Sequence, residues 1–248
     1  MTIQRHDEGV IATLTIDRPQ RRNALGENTV RSLRRALDDI DADASIRVTI
    51  ITGSAPGFCA GSDLKELATM DMRGMCEHEA ETAQFCRYIS QLNKPVIAAV
   101  EGFALGGGFI FAASCDLVVS AENCRWHLPE VQIGWIPPWG LQTLAARLGP
   151  VAARRVAWGA QHFDGHEAYR IGLADYLAPD GQTLAMALSV ARGLAALPDV
   201  AVQAVKQYFA PHAGLHGEAG DAVANRMFAD NCKFPVAQAT LEKFGVRK

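Results

Sequence analysis

The sequence has no CxxC pair, no long apolar run and no low-complexity linker. Its six cysteines, Cys59, Cys76, Cys86, Cys115, Cys124 and Cys232, lie in apolar or helical surroundings and show no ligand spacing. That pattern predicts reduced, mostly buried thiols in a reducing compartment. No apolar stretch approaches the length that crosses a bilayer. The N-terminal MTIQRHDEGVIATLTID lacks the cationic start and apolar centre of a secretory signal. The expectation is a soluble, cytoplasmic protein without a membrane partner. Positive charge is not in excess either: 24 Lys and Arg stand against 27 Asp and Glu, a net charge of -3. The global balance gives no reason to expect nucleic acid, and no aromatic-basic stacking motif is present. The glycines do not follow GxGxxG, and no P-loop lysine accompanies them, which excludes dinucleotide and nucleoside-triphosphate cradles. No histidine stands at a convincing ligand spacing, so no metal is expected.

What is present suffices for a core. The chain has 248 residues, 49% of them apolar and 21% charged, as in an ordinary globular protein. VIATLTID (10–17) and RVTIITG (47–53) read as β-branched strands, and residues 27–43 between them carry Val30, Leu33, Leu37 and Ile40 at helical spacing. Residues 64–92 are mainly helical with a break near Asp71–Gly74. KPVIAAVEG (94–102) is a third strand, ALGGG opens a helix running through Ser114, and DLVVSA (116–121) is a fourth strand. A short strand near Arg125–Trp126 and the loop LPEVQIGWIPPWG follow. From Leu141 the chain is mostly helical, with a short strand near 173–178. Alternating strands and helices predict an α/β fold.

Two glycine turns, each between a strand and a helix, carry the chemistry. One is Gly106-Gly107-Gly108 and the other is GFCAGSDLKEL (57–67). Glycine admits close approach of another backbone or a ligand, and a helix start offers unbonded N–H groups. Either turn alone reads equally well as helix-to-sheet packing, with Asp63 as the cap of its helix. Together they suit a pair of N–H groups aimed at one oxygen, an oxyanion hole.

RRNAL (21–25), GFCAGSDLKEL, KPVIAAVEGFALGGG, CDLVVSAENCRWHLPEVQIGWIPP and the helical tail, in this order, resemble the crotonase, or enoyl-CoA hydratase/isomerase, family over nearly the whole chain. The resemblance implies a crotonase-like spiral of ββα turns over residues 1–195. It implies a C-terminal helical trimerisation region over 196–248, giving a homotrimer or a dimer of trimers. It implies a coenzyme A thioester as substrate, with coenzyme A part of that substrate and no separate cofactor. The thioester oxygen would lie between the backbone N–H groups of Ser62 and Gly107. Arg22 and Lys65 would pair with phosphates. Ala24, Ala60, Gly61, Asp63 and Leu64 would surround the adenine and pantetheine, and Gly106, Ile110 and Trp135 would border the acyl group. Read as residues alone, Arg22 and Lys65 are more often solvated surface charges, and Trp135 and Trp139 more often core residues. Lys243 resembles, weakly, a tail lysine that reaches a neighbour's ligand.

Two-carboxylate hydratases of the family carry one glutamate two residues after the glycines and another in the P-E segment. Here Ile110 holds the first place and Glu130 the second. Glu130 is therefore the expected acid–base, acting in a hydratase that adds water to a 2-enoyl-CoA. Two alternatives stand beside that one. One is an isomerase that moves a 3-enoyl-CoA double bond to position 2 with the same glutamate. The other is a CoA-ester binding protein without turnover. A dehalogenase would need an aspartate where Ile136-Pro137-Pro138 stands. His78, Glu79 and Glu81, on the helix before KPVIAAV, read as a solvated helix face, with Ala83 the position nearest to a further base that some relatives use there. His127 reads as structural.

Overall fold

The computed structural model describes residues 2–214 and 217–244. Among the described residues eight strands are formed: β1 (Ile3–Glu8), β2 (Ile11–Ile16), β3 (Val48–Gly53), β4 (Val96–Val100), β5 (Phe103–Leu105), β6 (Leu117–Ala121), β7 (Arg125–His127) and β8 (Tyr176–Ala178). The helices are α1 (Glu27–Ala42), α2 (Leu64–Leu67), α3 (Met72–Ile89), α4 (Gly107–Ala113), α5 (Leu141–Leu148), α6 (Pro150–Ala157), α7 (Gly165–Arg170), α8 (Thr183–Ala195), α9 (Asp199–Gly214), α10 (Gly217–Asn231) and α11 (Pro235–Phe244).

Six strands form one sheet in the order β1-β2-β3-β4-β6-β8, antiparallel at β1–β2 and parallel elsewhere. A second, smaller sheet pairs β5 with β7 in parallel, and the bridge Cys59–Ala104 adds the GFCAG segment to its edge. The chain therefore repeats one path. It leaves a strand of the large sheet, pairs briefly in the small one, and turns away through a helix or a 3-10 turn. β3 leads through Cys59 to α2, β4 through β5 to α4, and β6 through β7 to the 3-10 turn Glu130–Ile133. These are the ββα turns of a spiral. Parallel strands covered on both faces need apolar residues at every position, and β4, VIAAV, is buried along its whole length.

One face of the large sheet packs against the main core, which holds Leu14, Leu33, Phe58, Phe109, Phe111 and Trp126. The other face meets α8 through Ile50, Ile97, Val119, Ala187 and Ala191. A third cluster joins the tail to the body: Phe228, Cys232, Ala237 and Leu241 pack against Leu67, Met75 and Trp135. The sequence pattern missed β1, whose side chains beyond Ile3 are exposed, and β5, which is only three residues long. The 64–92 segment does break, but earlier than expected: α2 ends at Leu67, and Asp71 caps α3, its side chain accepting from the Gly74 amide within the first turn. All six cysteines are free. Among the described residues no single helix is long and apolar enough to cross a membrane, and no cluster of His, Cys, Asp or Glu is arranged to hold a metal ion. Residues 215–216 and 245–248 of the tail lie outside the described residues.

Candidate active site

Each glycine of the triplet answers to a different neighbour. Gly106 has φ 53° and ψ −129°, a region open to glycine and closed to other residues. A Cβ there would lie 3.0 Å from Glu130 Oε1. A Cβ on Gly107 would lie 3.0 Å from Trp139 Cζ2 and 3.6 Å from the Ser62 nitrogen. A Cβ on Gly108 would run into the Cys59 carbonyl oxygen at 2.3 Å, so this glycine lets α4 press against the small sheet.

The second turn is held to the first. Cys59 O accepts from Leu105 N, and the amide of Ala60 donates to Arg22 O. The buried Asn23 side chain donates to Ser54 O and Gly57 O, both at 2.7 Å, and accepts from Arg18 N. The RRNAL loop is thereby tied to the GFCAG turn. Leu25 N donates to Gly61 O and Asp63 N to Leu25 O, which leaves the intervening Ser62 amide outside that ladder. Gly107 is the first residue of α4, where an N–H has no partner within the helix. Among the described residues neither the Ser62 nor the Gly107 amide has an acceptor.

Both residues line one cavity of about 90 Å³. Of the residues expected from the sequence, it brings together Ala60, Gly61, Ser62, Leu64, Gly106, Gly107, Ile110, Glu130 and Trp135. Trp139 lines it as well. Trp126 does not: it is a core residue, edge-on to Phe109 and donating to Ser120 Oγ at 2.9 Å. Arg22, Ala24, Asp63 and Lys65 lie outside the cavity lining. Arg22 and Lys65 are exposed, with the Arg22 guanidinium 4.5 Å from the centre of the Phe103 ring. Ala24 is buried in the loop, where its carbonyl accepts from Arg18. The Asp63 side chain caps α2 by accepting from Lys65 N and pairs with Arg18 at 3.1 Å. Lys243 is exposed, two residues beyond Leu241, which lines the cavity. His127 has a structural partner, the Gly159 carbonyl, at 2.9 Å.

Glu130 starts the 3-10 turn Glu130–Ile133 and is buried. Its Oε2 has no hydrogen-bond partner. Burial among apolar groups disfavours its charged form and pushes its pKa up to about 8, with the nearby Glu79 carboxylate adding to the rise. At neutral pH this side chain holds a proton that it can give up or take back. Ile110, 1% exposed, points its branched end at Gly140, where a Cβ would lie 2.1 Å from Ile110 Cγ2. It fills space and moves no proton.

The structure corrects the reading of α3. His78 and Glu79 are buried, at 5% and 3% exposure, and only Glu81 is exposed. Ala83 belongs to the core, whereas Glu79, one turn earlier, lines the cavity and accepts from Trp139 Nε1 at 2.7 Å. Glu79 is the site residue that sequence reasoning missed. A signal was there: Met75, Glu79, Ala83 and Cys86 fall at helical spacing, so Glu79 interrupts an apolar stripe.

Comparison with known proteins agrees with this architecture. Residues 6–244 match the family model of enoyl-CoA hydratase/isomerase, and the chain belongs to that family. A 2,3-dehydroadipyl-CoA hydratase of Escherichia coli is 35% identical over 219 residues, covering 88% of this chain and 85% of the relative. A short-chain-enoyl-CoA hydratase of Clostridium acetobutylicum is 34% identical over 202 residues, 81% of this chain and 77% of that one. The crystal structure of an enoyl-CoA hydratase/isomerase from Mycobacterium paratuberculosis superposes with a TM-score of 0.86 at 25% identity, covering 98% of each chain. The fold is the crotonase fold.

Proposed function

We propose that this enzyme adds water to a 2-enoyl-CoA thioester. The observation that carries the reading is the Glu130 carboxyl, its Oε2 without a partner and its Oε1 over Gly106, in an apolar cavity beside two unbonded amides. The Ser62 and Gly107 N–H groups would receive the thioester oxygen as it gains charge. Such preorganised donors typically contribute a factor of about 10²–10³ each. With the oxygen so held, C3 accepts water, the electrons of the double bond move to the oxygen, and the added water releases one proton, which is returned to Glu130 at the end of the cycle. The resulting enolate takes a proton at C2. In this scheme protonated Glu130 supplies that proton. The relatives named above act on enoyl-CoA thioesters, which supports the same substrate class here.

Coenzyme A enters as part of the substrate, and no separate cofactor or metal takes part in this scheme. Exposed Arg22 and Lys65 flank the two bound loops and serve as phosphate partners, with the backbone of Ala24 and Asp63 beside the adenine. The chain works as a homotrimer or a dimer of trimers, its tail helices contributing to the packing, in the cytoplasm, where its free cysteines stay reduced. It binds neither nucleic acid nor membrane.

The test is mass spectrometry of a trans-2-enoyl-CoA incubated with the enzyme and with Glu130→Gln. Gain of one water by the wild type alone supports the reading. Isomerisation of a 3-enoyl-CoA without hydration would replace it by the isomerase alternative. Thermal stabilisation by acyl-CoA without any product would replace it by a binding protein.

A further inference from the structure

The cavity holds a second carboxylate that the mechanism above leaves idle. Glu79 reaches it from the middle of α3, 3% exposed, with its Oε2 fixed by Trp139 Nε1 at 2.7 Å. Trp139 is itself 2% exposed and abuts Gly107 through Cζ2. The indole thus spans from the oxyanion-binding backbone to Glu79 and sets the carboxylate beside the reacting end of the cavity. Glu79 Oε1 has no partner among the described residues. Burying a carboxylate without a paired cation is costly, and the one side-chain partner of this one among the described residues is the Trp139 indole. Glu130 feels its charge directly. The two carboxyl groups therefore differ in their surroundings: one has no hydrogen bond on Oε2, and the other accepts from an indole. Two carboxyl groups so differently held can take the donor and the acceptor part of one proton-transfer cycle.

We propose that Glu79 is the second catalytic residue of this site, the base that takes the proton from the attacking water, in the role left open by Ile110. The inference rests on the hydratase reading. In the forward direction an O–H bond of water breaks and its proton goes to the Glu79 carboxylate as the oxygen bonds to C3. The π electrons move to the thioester oxygen, held by Ser62 and Gly107. The enolate then collapses as the Glu130 carboxyl gives its proton to C2. One proton returns from Glu79 to Glu130 through solvent to restore the resting enzyme, so atoms and charge balance.

This division of labour separates two measurable reactions. Exchange of the C2 hydrogen of a saturated acyl-CoA with deuterium oxide needs Glu130 and the oxyanion donors only. Hydration needs Glu79 as well. With crotonyl-CoA and butyryl-CoA as probes, Glu79→Gln keeps an acceptor for Trp139 and nearly the same volume. It should lower hydration kcat by about 10²–10⁴, while C2 exchange in butyryl-CoA, compared above about pH 9 where Glu130 is ionised with or without the Glu79 charge, stays within about threefold of the wild type. Glu130→Gln should lose both reactions. Trp139→Phe, which releases Glu79 from its donor, should lower hydration more than exchange, and it carries the test if Glu79→Gln does not fold. Hydration by Glu79→Gln at the wild-type rate would overturn the proposal and leave the hydratase reading intact. Equal loss of hydration and exchange in a folded Glu79→Gln would overturn it too, since Glu79 would then only shape the site. A wild type that exchanges C2 but never hydrates would remove the hydratase reading and this proposal with it.

Discussion

Glu130 decides the pH behaviour of the molecule. Its carboxyl is raised to about 8 by burial first and by the Glu79 charge second. Acting as the acid in hydration, it must be protonated in the free enzyme. Hydration kcat/KM should therefore fall as pH rises above about 8, and a pH–rate profile with crotonyl-CoA checks this. The same shift has a stability consequence. A carboxyl whose pKa is higher folded than unfolded binds more protons in the native state. Its contribution is intact below the ordinary value of 4.5 and is lost progressively as pH rises through about 8. Glu130→Gln removes that loss. The variant should melt above the wild type by roughly 5 °C or more at alkaline pH, and the gap should close near pH 5. Differential scanning calorimetry across that range measures it. A gap that does not change with pH would show that the Glu130 carboxyl is not shifted in this way.

At the scale of the element, the Gly106-Gly107-Gly108 turn separates activity from stability within three residues. Gly107→Ala sets a methyl against Trp139 and beside the Ser62 amide, where the thioester must approach. It should keep the fold and lose hydration by at least about tenfold. Gly108→Ala drives a methyl into the Cys59 carbonyl. It should destabilise by roughly 2–4 kcal/mol, which urea unfolding of the two variants would separate from lost activity. The strand–turn–helix character of this segment was legible in the sequence, because the change from β-branched residues to glycines to an apolar helix is local. The face that α3 turns inward was not legible. A glutamate and a histidine on a helix read as solvated, and the partner that makes Glu79 worth burying, Trp139, lies 60 residues further on. Similarly, Asp63 was legible as a helix cap, but its pairing with Arg18 needed the RRNAL loop to fold back.

On the scale of the whole molecule, the tail closes the site from its own chain. Phe228 of α10 meets Trp135 edge to face with centroids 5.5 Å apart, and both line the cavity with Leu241 of α11. Phe228→Ala should cost about 3–5 kcal/mol and enlarge the apolar end of the cavity. In a folded preparation the preference should move toward longer acyl chains, read as the ratio of kcat/KM for octenoyl-CoA to that for crotonyl-CoA. The outer surface of the tail is apolar in several places: Val200, Val223, Met227, Phe234 and Val236 are exposed in the single chain. Patches of this kind are usual at subunit contacts. Multi-angle light scattering should therefore return the mass of three chains, or of six, and the mass of one chain would end the trimer proposal.

By itself, the sequence determined the α/β alternation, the two glycine turns, the identity of Glu130 as the carboxylate of the P-E segment and the loss of a carboxylate at Ile110. Each of these is written in a few adjacent residues, where backbone preference and side-chain type act over short range. Only the tertiary structure decided that Ser62 and Gly107 face one cavity, that Glu130 loses its water and gains a raised pKa, and that Glu79 and the tail helices share its walls. Those properties arise from desolvation and from contacts between segments far apart in the chain, and neither quantity exists until the spiral has closed.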